Sequence, residues 1–407
     1  MKILILTPQL PYPPHQGTIL RNFHIIKGVA QKHEVSLLSY LEPKQPKEEA
    51  EWGELPALCA EIVTVAAPSR TMGKRVWQLV SSSWPDLAHR LYDERFVAAL
   101  REMLRGSEFD VVQIEGLELA WALAVVEEEQ PEARVLFDAH NVETAIQERA
   151  LATDWRRPRR WAAAVYSAIQ VRRLRRFERW VVQMAAATTA VSATDAALLA
   201  ALVGGKRQVV AIPNTIDVEA YGAPAEGVGE AYQFDLVFSG KMDYRPNVDG
   251  VRWFGEEVWP LVVAVRPGTT WGIVGNKPVA AVVALGDEAG ITVTGWVPEI
   301  QPYLWGAKLC ILPLRMGSGT RLKLIEAAAA GKGMVSTRVG AEGFDLMGGE
   351  VLVLADGAAE MAAEIVRLLG DEAEREALGE RARVWAKRYD WRVVVPAFEA
   401  VYRQMGV

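Results

Sequence analysis

Cysteine is nearly absent from this chain: there are two, Cys59 and Cys310, in 407 residues. Two thiols exclude a disulfide framework. Both lie in or beside apolar segments, which predicts buried free thiols in a reducing compartment. No apolar run approaches the roughly 20 residues that a membrane-spanning helix needs. The amino terminus, Met1-Lys2-Ile3-Leu4-Ile5-Leu6-Thr7-Pro8, has one basic residue and only a short aliphatic run, so it reads as a first buried strand and not as a secretion signal. A soluble, cytoplasmic protein is expected. A G-x-G-x-x-G turn is also missing, which argues against an ordinary dinucleotide site. No solenoid-length repeat and no low-complexity tract is visible. With a net charge of −6 and no basic stripe along the chain, nucleic acid is excluded as the main partner.

Half of the residues are hydrophobic and 24% are charged, as in globular proteins, and the length suggests two domains. Short apolar runs alternate with long helical stretches, the pattern of parallel sheets with crossover helices. In the first half, strands are expected near 2–7, 34–40, 61–66, 110–114, 134–138 and 187–191, with helices near 18–31, 73–104, 118–129 and 142–185. The alternation restarts with strands at 208–212, 234–239, 270–274, 291–294, 308–313, 333–337 and 351–354. Helices at 357–369, 372–388 and 392–405 follow. The fold class is therefore α/β, with two doubly wound Rossmann-like domains facing a cleft. Residues 1–205 form the first domain and 206–391 the second, with Pro213-Asn214 and the stretch 222–230 near the junction. Ligands then belong at the carboxyl ends of the strands.

Residues 309–331 carry the most information. They read as a buried strand, a glycine-rich turn and a helix stopped by Gly331. Thr320 is a good N-cap, but the first turn would carry Arg321 and Lys323. Cations are mispaired at the positive end of a helix unless an anion joins them. Gly317 and Gly319, flanking Ser318, would let the backbone approach that anion. The alternative is a solvated surface turn with two stray charges.

Four other places are candidates. Gly17, after the first strand, occupies a phosphate-approach position. Asp138-Ala139-His140-Asn141 puts polar side chains at a strand tip, where His140 could bond a sugar hydroxyl or simply hold the turn. Ser239-Gly240-Lys241, with Arg245, is a second basic strand tip, and two such tips suggest a diphosphate rather than one phosphate. The loops holding Gly275 and Val297 are placed to form a slot for a base. Glu326, one turn beyond Lys323, is positioned to accept ribose hydroxyls, or else pairs with Lys323. Separately, nine arginines fall within 156–179. Arg172, Arg176 and Arg179 are expected on one helical face, and Val165, Ile169, Leu174 and Val181 on another. Such a helix is either a solvated face or a contact with anionic membrane.

Several stretches of the second half resemble family 4 glycosyltransferases. They are Ser239-Gly240-Lys241-Met242 with Arg245-Pro246-Asn247, then Thr294-Gly295-Trp296-Val297, and Pro313 through Lys323. Glu326-Ala327, Val335-Ser336-Thr337 and Gly340-Ala341-Glu342-Gly343 continue the likeness. The first half is similar more loosely, through Gly17 and the Asp138–Asn141 tip. The resemblance implies a GT-B fold whose last helix, within 392–407, crosses back to an acceptor-side first domain, while the second domain binds the donor. It implies a retaining, metal-independent transfer from a UDP- or GDP-sugar to a glycan, lipid-linked or small-molecule acceptor, as in polysaccharide or cell-envelope assembly. Lys241, Arg321 and Lys323 would neutralise the leaving diphosphate, Glu326 would hold the ribose, and His140 would contact the sugar. Gly17, Gly240, Arg245, Gly275, Val297, Gly317, Ser318, Gly319 and Thr320 would line the donor site. Many members carry a glutamate where Ser318 stands, so that sugar contact does not carry over. Three rival readings remain: a silent nucleotide-sugar binder, a sugar-nucleotide epimerase of the same architecture using His140 and Glu115, and an inverting transferase.

Overall fold

Apolar runs without polar alternation become strands covered on both faces. The computed structural model describes residues 1–14, 17–155, 161–222, 232–317, 320–344 and 350–407, and its first strand, β1 (Lys2–Thr7), is buried from Ile3 to Thr7. The first sheet adds β2 (Glu34–Leu41), β3 (Glu61–Ala66), β4 (Val111–Glu115), β5 (Arg134–Ala139), β6 (Ala187–Ala190) and β7 (Val209–Ala211). It has seven strands in the order β3-β2-β1-β4-β5-β6-β7, all parallel. The second sheet contains β8 (Phe234–Ser239), β9 (Trp271–Val274), β10 (Ile291–Gly295), β11 (Ala307–Leu312), β12 (Gly333–Ser336) and β13 (Val353–Leu354). Its six parallel strands run β10-β9-β8-β11-β12-β13. Strand order reverses at β1/β4 in one sheet and at β8/β11 in the other, so the carboxyl ends of those strands are where such sheets bind ligands.

The chain divides into two compact units, Met1–Thr215 with Val394–Val407, and Ile216–Val393. The sequence reading gave 208–212 to the second domain. Instead Val209 and Val210 pair with Thr188 and Thr189 of β6, so this strand closes the edge of the first sheet and the first unit runs ten residues beyond 205. The returning segment is a short helix Trp391–Val394 and a longer one, Pro396–Gln404, not one helix over 392–405, because Pro396 starts a new helix at its first turn. In the first unit Tyr402 of that segment donates to Gln113 Oε1 on β4, and Val395 packs where a Cβ on Gly28 would stand, 2.6 Å from its Cγ1.

Two long helices expected from the sequence are interrupted. The stretch 73–104 forms Met72–Ser81, Asp86–Arg90 and Glu94–Gly106. Pro85, itself extended at ψ 153°, stands before the second, and Asp93 caps the third by accepting from Arg95 N at 2.8 Å. The stretch 142–185 gives Glu143–Trp155 and Trp161–Met184, and residues 156–160 lie outside the described residues. The second of these helices supports the first: Glu178 accepts from the amides of Glu143 at 2.7 Å and Thr144 at 3.2 Å, a carboxylate at a helix N-terminus. Both cysteines are free, Cys310 buried and Cys59 partly so, and burial pushes each thiol up to about 12.

Candidate functional site

In the second unit, β8 and β9 end in glycines that turn with φ +151° at Gly240 and +149° at Gly275. The two turns touch. A Cβ on Gly275 would stand 1.7 Å from the Gly240 carbonyl oxygen, so only glycine fits there. A Cβ on Gly240 would stand 2.6 Å from Lys323 Nζ. The missing side chains bring backbone and ammonium together at the sheet's switch point.

Lys323 lies in the first turn of the helix Leu322–Ala329, donates to Asn247 Oδ1 at 2.8 Å, and covers the Phe238 ring at 4.2 Å. Burial pushes its amine down to about 7; Arg321 adds to that fall and Glu326 opposes it. Arg321 is 8% exposed, lies 3.9 Å from Glu342 Oε2, and has Gly317 beside its guanidinium. Arg321, not Thr320, is the N-cap: its backbone is extended at φ −95°, the helix begins one residue later than expected, and no side chain caps it. Thr320 packs instead against Gly343. Two cations at the start of a helix remain, as the sequence indicated, and the C-terminal stop at Gly331 is complete. Gly331 N bonds Ala328 O at 2.9 Å and Lys332 N bonds Ala327 O at 3.0 Å, the paired bonds of a Schellman end.

One turn beyond Lys323, Glu326 Oε1 accepts from Tyr221 Oη at 2.9 Å. Tyr221 closes the short turn Val218–Tyr221, and its carbonyl accepts from Trp305 Nε1 at 3.1 Å. Burial raises the Glu326 carboxyl against the pull of Tyr221 and Lys323. The four cations expected on one anion are not gathered. Lys241 is 45% exposed, with its Nζ 3.5 Å from Asp243, and Arg245 is exposed at the first residue of the helix Arg245–Trp253. That helix turns Pro246, Asn247 and Gly250 inward, so Asn247 reaches Lys323 where Lys241 and Arg245 were expected. Val297 is partly buried in the loop after β10. Ser318 and Gly319 lie outside the described residues.

The first unit holds a second cluster at its own switch point. Asp138, at the end of β5, accepts from Arg21 Nε at 2.8 Å and Nη2 at 2.9 Å, and from Thr189 Oγ1 at 2.6 Å. Burial alone would raise Asp138, but the Arg21 guanidinium outweighs it and holds the carboxyl far below the usual range. Glu115, the last residue of β4, bonds His140 Nε2 at 2.7 Å and accepts from Gln113 Nε2 at 2.6 Å. Burial and Asp138 push Glu115 up to about 7, while its bond to His140 resists. His140 is raised in turn, since Glu115 and Asp138 overcome its burial. Glu115 and His140 thus form a buried hydrogen-bonded pair of a carboxyl and an imidazole, and Tyr402 reaches it through Gln113. Glu115, Asp138 and His140 offer ligand atoms within 4.8 Å of one another, but Arg21 already occupies both Asp138 oxygens. Gly17 opens the helix Gly17–Val29, with nothing within 4 Å of where its Cβ would be.

Two family models match: Glycosyl transferase 4-like domain over residues 24–215 and Glycosyl transferases group 1 over 233–371. The chain belongs to the family 4-type glycosyltransferases. A curated relative, an uncharacterized 44.6 kDa protein in the cps region of Klebsiella pneumoniae, is 25% identical over 135 residues, 31% of this chain and 35% of the relative, about a third of its length. Among solved structures, sucrose-phosphate synthase from Thermosynechococcus elongatus matches with TM-score 0.74 at 16% identity, covering 100% of this chain and 99% of that one. HepE of Anabaena in complex with UDP matches with TM-score 0.67 at 15% identity, covering 99% of this chain and 100% of that one. These likenesses give the glycosyltransferase a GT-B fold. No helix among the described residues is long and apolar enough to cross a membrane.

Sequence reasoning missed Arg21, Gln113 and Tyr221. Arg21 left a trace: with Asn22 and His24 it is a polar residue on a helix whose other inward positions are Leu20, Phe23, Ile25, Ile26, Gly28 and Val29. Tyr221 left none, since it meets Glu326 across 105 residues.

Proposed function

We propose that this glycosyltransferase moves a sugar from a nucleoside diphosphate sugar to an acceptor hydroxyl with retention at C1. The observation that carries the reading is the pairing of buried Arg321 with the depressed amine of Lys323 at the β8/β11 switch point. A diphosphate brings its negative charge to these two cations, and stabilising the departing diphosphate is the main electrostatic task of the reaction. In the transfer, the C1–oxygen bond to the diphosphate breaks and the acceptor oxygen bonds C1 on the same face. The acceptor proton passes to the departing phosphate oxygen. The slot for the base lies between the loops of Gly275 and Val297. Because side-chain cations neutralise the leaving group, no metal is assigned. HepE of Anabaena was solved with UDP and with UDP-glucose, which favours a uridine donor over a guanosine one.

Melting curves with UDP, GDP and ADP test the donor, since the matching nucleotide stabilises in proportion to its occupancy. UDP is expected to give the largest rise, and no rise with any of the three overturns the donor site. NMR of the product then reads the anomer: inversion overturns retention, and tight donor binding without turnover under a panel of acceptors leaves a nucleotide-sugar binder.

Glu326 is assigned to the ribose. Tyr221 already takes Oε1, so one oxygen, Oε2, remains for the sugar hydroxyls. Tyr221→Phe is expected to weaken UDP binding about three- to tenfold and to narrow the preference for UDP over its 2′-deoxy analogue. Calorimetry showing an unchanged preference would remove Glu326 from the ribose.

A further inference from the structure

Exposed large apolar side chains concentrate on two neighbouring helices of the first unit. On Met72–Ser81, Met72 is 69%, Trp77 71% and Val80 80% exposed. On Trp161–Met184, Val165 and Ile169 are exposed. The helices are joined side by side: Arg173 Nη2 donates to Leu79 O at 2.7 Å and Arg75 bonds Tyr166. The sequence reading had placed Val165 and Ile169 opposite the arginines. In the helix, positions 165, 169, 172 and 176 recur at spacings of three and four and share the exposed face, while Leu174, Phe177 and Val181 turn inward.

The same surface is cationic. Met72–Ser81 contains Lys74 and Arg75 and no acid, and the one acid of Trp161–Met184, Glu178, is buried against the neighbouring helix end. Arg75 pairs with Asp86 and Arg175 with Glu148. Arg172, Arg176 and Arg179 have no carboxylate partner among the described residues, in a chain whose net charge is −6. A shallow groove of about 440 Å³ runs between these arginines, floored by Ala168 and Val171.

We infer that this two-helix face docks on an anionic lipid bilayer. An exposed tryptophan among aliphatics, bordered by exposed cations, matches the interfacial zone, where apolar side chains enter the headgroup boundary and cations meet lipid phosphates. Nucleic acid would leave Trp77, Val80, Val165 and Ile169 without a use. The inference stands independently of the transfer reaction.

Sedimentation of the full chain with vesicles of phosphatidylglycerol and phosphatidylcholine in equal parts, at about 50 mM salt where screening is weak, tests it. Binding is expected to exceed that to pure phosphatidylcholine by at least about tenfold and to fall with salt. Arg172→Glu with Arg176→Glu, and separately Trp77→Ser with Val80→Ser, are each expected to lower binding about tenfold or more. Circular dichroism and an unchanged melting temperature of both variants report that they are folded. Equal binding to neutral and anionic vesicles overturns the inference. So does a charge-reversed variant that binds like the wild type. Unimpaired vesicle binding by the Trp77/Val80 variant, with displacement by polyglutamate, assigns the face to an acidic protein instead.

Discussion

Lys323→Met is expected to abolish most of the affinity for the donor diphosphate and, at the same time, to stabilise the unliganded protein. Both effects come from the same burial. The amine is held near 7 in the fold against 10.5 when free, so between those values the unfolded chain binds more protons. Stability therefore rises with pH across that interval, and at pH 7 and below the cost of the buried charge is fully present. Methionine keeps the length and the contact with Phe238 without the charge. An increase of about 2–4 °C in melting temperature at pH 7 is expected, the response of a domain of roughly 200 residues to about 1 kcal/mol. The rise with pH that the wild type shows above 7 should flatten in the variant. Loss of a charge-assisted bond to phosphate weakens nucleotide binding about 10- to 100-fold. Calorimetry at pH 8 in buffers of different ionisation enthalpy gives a third reading: the wild type takes up a proton as the diphosphate restores the ammonium, and the variant does not. Unchanged nucleotide affinity, or a variant that melts lower at pH 7, would remove Lys323 from the donor site.

The sequence makes Lys323 conspicuous because its anomaly is local: a cation in the first turn of a helix is visible from neighbouring residues alone. Strands were legible for the same reason, since Ile3-Leu4-Ile5-Leu6 or Phe234–Ser239 can only be covered on both faces, and β1, β3 and β8 match the expected bounds at both ends. What failed depended on contacts distant in sequence or on a competing local preference. Val209–Ala211 follows β6 but precedes the linker, and periodicity does not say which sheet it joins. Thr320 has the better capping side chain, yet the extended backbone of Arg321 sets the helix start. His140 was read as one of several polar residues at a strand tip, with Glu115 beside it only in the rival epimerase reading. Its protonation is governed by Glu115 on the adjacent strand, which the parallel register places beside Asp138. That register is a property of the folded sheet, so the acid–base character of the pair could not be read from spacing.

Arg21→Met is expected to cost about 3–5 kcal/mol in the stability of the first unit, the range for breaking a buried ion pair by removing one partner. Arg21 is 1% exposed and Asp138 fully buried. The guanidinium also donates to Pro213 O at 2.8 Å and covers the Phe398 ring at 5.5 Å. One side chain thus ties the helix Gly17–Val29 to the end of β5, to the segment closing the first sheet and to the returning helix of the same unit. Removing it leaves the Asp138 carboxylate buried, with Thr189 as its hydrogen-bond donor and His140 Nε2 3.8 Å away. A fall in melting temperature on the order of 10 °C should follow. The pH dependence separates this cause from simple loss of packing. In the wild type Arg21 holds Asp138 below its ordinary value, so the stability it contributes is present at neutral pH and fades as the pH drops through the acid range. In the variant, burial without the cation raises the carboxyl above its unfolded value, so stability must increase as the pH is lowered from 7 towards 5, the opposite slope. Adding Asp138→Asn removes the stranded charge while keeping an acceptor for Thr189, and the double variant should melt above Arg21→Met alone. Parallel pH slopes for wild type and Arg21→Met, or additive losses in the double variant, would mean that Arg21 acts here by its volume and not by its charge.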